Sequence, residues 1–164
     1  MQNSGYSSYI DDSADNTFHS GVEALKDTYV QNESKAKASY ASYLEKYSDK
    51  QKQIKNSVMS HLISNDVVDL NTAIAYGINA GLSREDAQSV GKSAYEITKQ
   101  KVLNKIIEQT VSLGLDEKGA KMLALKMGVT EADANGIAKE VGDLLKHYRS
   151  VSDEYLDYLE KMSN

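Results

Sequence analysis

The chain contains no proline in 164 residues, where average usage would supply about eight. Proline is the strongest helix breaker, because it lacks an amide hydrogen and its ring collides with the carbonyl four residues earlier. Without it, helices must be ended by glycine, asparagine, aspartate and serine. The rest of the sequence reads as helix, short glycine hinge, helix. The expected fold is all-α: an elongated bundle of about five helices, three long and two short, behind a flexible N-terminal arm.

The arm is residues 1–19, polar and rich in serine and aspartate (Asp11, Asp12, Asp15), with Tyr6, Tyr9 and Ile10 as anchor points. Residues 20–164 form one helical domain. Ser20 is a good N-cap, and from it a single long helix is expected over 20–64. Its apolar positions are Val22, Leu25, Tyr29, Ala36, Tyr40, Tyr43, Leu44, Tyr47, Ile54, Val58 and Leu62. Leu25, Ala36, Tyr47 and Val58 recur at a spacing of about eleven residues, which suits a nearly straight helix. The stretch 49–55 is polar except for Ile54, and is the one place within 20–64 where a break would fit. Asp66 is expected to cap a short helix reaching Ala80. Gly81 then takes the left-handed position and Ser83 caps a long helix that stops at Gly114. Asp116 caps a second short helix ending at Met127, Gly128 repeats the hinge, and a last long helix runs from Glu131 to Met162. The hinges are therefore Gly81, Gly114 and Gly128.

The punctuation recurs because the segment looks duplicated. A shift of roughly 47 residues pairs Asp69 with Asp116, Gly81 with Gly128, Asp86 with Asp133 and Lys92 with Lys139. Residues 66–101 and 113–148 thus read as two copies of a short-helix, hinge, long-helix unit, within the broader segments 66–113 and 115–162. In the last helix, Ile137, Val141, Leu144, Tyr148, Val151, Tyr155, Tyr158 and Met162 alternate spacings of four and three. That is the a/d seam of a left-handed bundle or coiled coil.

Eleven tyrosines stand against one phenylalanine. A tyrosine ring is apolar but its hydroxyl needs a partner, so the residue favours half-exposed positions and interfaces. This makes the tyrosine-lined faces the expected interaction surface: Tyr40, Tyr43 and Tyr47 on the first helix, with Tyr148, Val151, Tyr155, Tyr158, Leu159 and Met162 on the last. The expected function is a non-enzymatic structural, assembly or interaction protein. Its partners would be helices, of another copy or of another protein, so an oligomer or larger assembly is expected. A chain without proline or cysteine has no slow isomerisation or cross-link to hinder refolding, which suits a phage virion or bacterial accessory component.

The alternative is a helix-turn-helix regulator. Leu123, Ala124, Met127, Gly128, Val129, Ala134 and Ile137 fit that corner, and Gly77, Gly81, Leu82, Ala87 and Val90 fit it less well. The second helices, however, begin Arg84-Glu85-Asp86 and Glu131-Ala132-Asp133, which would set carboxylates against phosphates. A net charge of −5 likewise opposes general affinity for nucleic acid or anionic membrane. His19, His61 and His147 are isolated, so no metal, cofactor or catalytic site is expected. Asp153, Glu154, Asp157 and Glu160 read as a solvated acidic face. The sequon at Asn32 lies within a helical pattern and carries no weight. No apolar run approaches a membrane span, and no signal peptide opens the chain. The expected setting is cytoplasmic or virion-associated.

Overall fold

In the computed structural model, the described residues are 4–163 for the backbone and 16–148 and 157–162 for side chains. They form α1 (Ser4–Leu44), α2 (Asp49–Ser64), α3 (Leu70–Asn79), α4 (Arg84–Leu113), α5 (Glu117–Lys126) and α6 (Glu131–Ser163), with no strand among them.

Local chemistry sets most of the boundaries. Ser48, Asp69, Ser83 and Asp116 hold extended backbone, and each side chain accepts the amide of the residue three further on. Each thereby satisfies one of the amides that a helix start leaves without an internal partner. Thr130 does the same for Asp133 at the start of α6. Asp66, Gly81, Gly114 and Gly128 follow the helix ends in left-handed backbone, with φ of 50°, 102°, 65° and 91°. After each comes an apolar residue, Val67, Leu82, Leu115 or Val129, whose amide donates to the carbonyl five residues back. This is the Schellman closure, and it turns the chain sharply while pairing orphan carbonyls.

α4 is the central element. Its first half supplies Val90, Ala94 and Ile97 to a core shared with Tyr40 of α1, Val58, Met59 and Leu62 of α2, and Ala73 of α3. Its second half supplies Val102, Leu103, Ile106 and Ile107 to a core with Val22 and Tyr29 of α1, Ala120 and Ala124 of α5, and Ile137 and Val141 of α6. Small residues allow close corners. A Cβ on Gly77 would lie 3.1 Å from the Ala87 Cβ, and one on Gly91 would lie 3.0 Å from Ile74.

Three expectations need correction. The single helix over 20–64 is two helices, α1 and α2, separated at residues 45–48. Ser48 caps α2, and Val58, Met59 and Leu62 bury it in a core shared with α4. The stretch expected as a flexible arm is helical from Ser4 onward, residues 1–3 lying outside the described residues. Phe18 explains the continuation: its ring meets Tyr148 edge-on at 6.0 Å, and extending a helix from such an anchor adds a hydrogen bond per residue fixed. Finally, Asp69 rather than Asp66 caps α3, because Asp66 is itself the left-handed residue that closes α2.

Candidate functional site

Tyrosine hydroxyls donating to carboxylates on neighbouring helices are the recurrent polar feature of the molecule. Tyr29 on α1 donates to Glu140 on α6. Tyr95 on α4 donates to Asp133 on α6 at 2.9 Å. Tyr43 on α1 and Tyr47 in the α1–α2 connection both donate to Oδ1 of Asp86, each at 2.9 Å. Burial pushes the Tyr95 phenol up to about 12, with the Asp133 hydrogen bond adding to it. Tyr29 is raised as well, by burial first and then by Glu140. These groups stay protonated as donors, and each ties one helix to another.

The Asp86 cluster is the densest of these contacts. Lys55, on α2, is 1% exposed, and its ammonium lies 3.0 Å from Asp86 Oδ2. The same ammonium donates to the Tyr43 hydroxyl at 3.2 Å and sits 4.0 Å from the centre of the Tyr47 ring. A buried ammonium is tolerated only when paired and hydrogen-bonded, and here a carboxylate, a phenol and an aromatic face surround it. Lys46 lies over the same rings from outside, 5.4 Å from Tyr43 and 5.3 Å from Tyr47. Burial pushes the Asp86 carboxyl upward, but hydrogen bonds from Lys55, Tyr47 and Tyr43 and the Lys55 charge outweigh it, holding the group down at about 2. The cluster joins α1, α2 and α4 at one point. Within it the lysine, both phenols and the carboxylate satisfy one another.

The sequence-predicted surface residues are distributed unevenly. Tyr40 is buried and donates to Asn56 at 3.0 Å, while Tyr43 and Tyr47 turn inward onto Asp86. Tyr148 is half-buried beside Phe18. Tyr158 and Leu159 are half-buried and Met162 is exposed. Val151 and Tyr155 lie outside the residues whose side chains are described. Gly81, Gly114 and Gly128 sit at the corners in left-handed backbone. Sequence reading missed Lys55 and Asp86. The available signal was a lysine about two turns inside a capped helix with tyrosines eight and twelve residues earlier, which is too weak to stand alone.

Other concavities are grooves between helices. One, of about 610 Å³, lies between α1 and α6 and is lined by Gly21, Ala24, Leu25, Glu140, Leu144 and His147. Among the described residues no group of histidines, cysteines or carboxylates could hold a metal ion. No described helix is long and apolar enough to cross a membrane. Compared with known protein families, curated proteins and solved structures, the chain matches none of them.

The Tyr29–Glu140 contact gives a direct test of these tyrosine links. Tyr29→Phe should lower stability by roughly 1.5 kcal/mol, the worth of a hydrogen bond to a charged acceptor. Glu140 is exposed and can return to water, so the loss should not be larger. Urea denaturation with an unchanged m-value is the check.

Proposed function

We propose that this is a non-enzymatic assembly protein that associates with other helices, most directly those of a second copy, through the C-terminal half of α6. The observation that carries this reading is that the seam of α6 continues beyond the Phe18–Tyr148 contact to an exposed Met162. Tyr40, Tyr43 and Tyr47 make their hydrogen bonds inside the chain. The a/d positions of α6 beyond Tyr148 are Val151, Tyr155, Tyr158 and Met162, of which Met162 is 53% exposed. Helices of a second copy packing on α6 would bury what stays exposed along the seam, as in a bundle of four. A virion or bacterial accessory role is a narrower form of this proposal, supported only by the composition.

A duplicated origin of the 66–101 and 113–148 units is part of the same proposal. Asp69 and Asp116 cap their short helices alike, and Gly81 and Gly128 close them alike. Asp86 and Asp133, the third residues of the two long helices, each accept a tyrosine hydroxyl from another helix. Those same bonds weigh against the helix-turn-helix alternative. The two aspartates are engaged in place at the helix start, where a DNA reader needs arginine, lysine, asparagine or glutamine.

Light scattering behind size-exclusion chromatography over a concentration series tests the assignment. Tyr155→Ser combined with Tyr158→Ser should shift the protein to monomer while leaving helicity unchanged. An oligomer unaffected by the double substitution, or a wild-type monomer at every concentration that also captures no helical partner, would overturn it.

A further inference from the structure

Every other connection between the described helices contains a left-handed residue and a Schellman closure, but the one between α1 and α2 does not. Asp66, Gly81, Gly114 and Gly128 mark the other four, and the described residues contain no further positive φ. At the α1–α2 corner the bonds are short-range instead: the Glu45 amide to the Ser42 carbonyl at 3.3 Å and the Tyr47 amide to the Leu44 carbonyl at 3.0 Å. The connecting residues, Glu45, Lys46, Tyr47 and Ser48, include neither glycine nor proline. Each can enter a helix at modest cost. The apolar ladder Leu25, Ala36, Tyr47, Val58 also runs through the corner in straight-helix register. Local sequence therefore permits a continuous helix, and the bend is held by the local Ser48 cap together with a tertiary contact, the Lys55–Asp86–Tyr43–Tyr47 cluster.

We propose that residues 45–48 are a hinge that straightens, fusing α1 and α2 into one rod and exchanging α1 between two copies of this chain. A rod over residues 4–64 would measure about 90 Å, which carries α1 clear of its own body. The surface it vacates on α4 and α6 is matched by the same surface of the second copy. The Tyr29–Glu140 hydrogen bond and the Lys26–Glu108 ion pair, at 3.1 Å in the closed chain, re-form between chains. Only the corner differs between the two states, and reciprocal exchange of an identical element closes as a dimer. This exchange uses no contact of the distal half of α6, so it stands apart from the association proposed above.

The two states respond oppositely to substitutions at the corner. Asp49 is the first helical residue of α2, where proline is tolerated, and Ser48 already has the ψ of 160° that precedes a proline comfortably. Inside a continuous rod, a proline at the same position would collide with the Glu45 carbonyl. Ser48→Ala acts the other way, by removing a cap that exists only in the bent state.

The experiment is refolding from urea at low and high protein concentration, followed by size-exclusion light scattering, all in a Tyr155→Ser, Tyr158→Ser background to suppress association through α6. Ser48→Ala should raise the dimerisation constant roughly 30-fold, since two caps are lost per dimer. Asp49→Pro should abolish the dimer at the same concentration while keeping the parent's helicity. Insertion of two glycines between Tyr47 and Ser48, which breaks the rod without touching α2, should also abolish it. Dimer persisting in either blocked variant overturns the proposal, as does Ser48→Ala remaining monomeric at high concentration.

Discussion

Asp86→Ala is expected to lower the stability of the protein by about 3–4 kcal/mol, which for a domain of this size moves the thermal midpoint down by roughly 10 °C. The loss comes from what the substitution leaves behind. The Lys55 side chain is 2% exposed, so without Asp86 its ammonium is a buried charge with a phenol and a ring for company. Tyr43 and Tyr47 lose their shared acceptor at the same time. The reciprocal change, Lys55→Met, should cost less, because the Asp86 side chain is 26% exposed and can recover water once its partner is gone. The double variant Lys55→Met with Asp86→Leu should recover most of the loss, since a buried ion pair is often no better than well-packed apolar residues. Chemical denaturation of the wild type, Asp86→Ala, Lys55→Met and the double variant Lys55→Met with Asp86→Ala gives the coupling energy directly. If Asp86→Ala proved as mild as a surface substitution, the cluster would not be what holds α1, α2 and α4 together.

The same carboxylate sets an acid limit. A carboxyl held below its unfolded value contributes stability that is complete above the unfolded pKa and disappears as pH falls through the folded one. For Asp86 the fall runs from an ordinary value of 3.8 to about 2. The extra acid sensitivity of the wild type over Asp86→Ala should therefore be confined to the interval between about pH 4 and pH 2.

How much of this was legible in the sequence depended on whether the signal was local. Ser83, Asp116, Gly81, Gly114 and Gly128 act through bonds to residues within five positions, so their spacing alone locates the corners. The start of α6 and its seam are readable for the same reason. The α1–α2 break was legible only as a polar stretch over 49–55, just beyond its true place, because residues 45–48 carry no glycine or proline and partners on α4 help to fix the bend. Ile54 and Lys55 show the limit most clearly. Periodicity selects Ile54 as the apolar position, yet Ile54 is 41% exposed and Lys55 is 1% exposed. α2 is rotated to bring Lys55 beneath Asp86, and no property of residues 49–64 encodes where Asp86 lies. The tyrosines were visible as an unusual balance, but that balance does not separate a hydroxyl seeking another chain from one seeking a carboxylate across the bundle.

Ile106→Ala is the second large expectation, and it tests whether the two cores are one cooperative unit. Ile106 is completely buried among residues of α1, α5 and α6. Removing three carbons there should cost about 3–4 kcal/mol, the lost transfer energy together with the cavity left behind. A rigid surrounding sets the upper part of that range: Ala120, Ala124 and Ala134 on the facing helices are also fully buried and have no side chain able to swing into the space. If the units 66–101 and 113–148 were independent, the damage would stay in the core around Ile106 and melting would split into two steps. The path of α4 argues otherwise. Ile97 and Ile106 lie on one helix but in different cores, so loosening either end removes hydrogen bonds and side-chain support from the other. Val68, from the α2–α3 connection, also packs in the Ile106 core, 3.3 Å from where a Cβ on Gly128 would sit. A single calorimetric transition is therefore expected for Ile106→Ala and for Ile97→Ala alike, each displaced by roughly 10 °C. Two resolved transitions in either variant would mean that the helical units are joined by α4 without being stabilised through it.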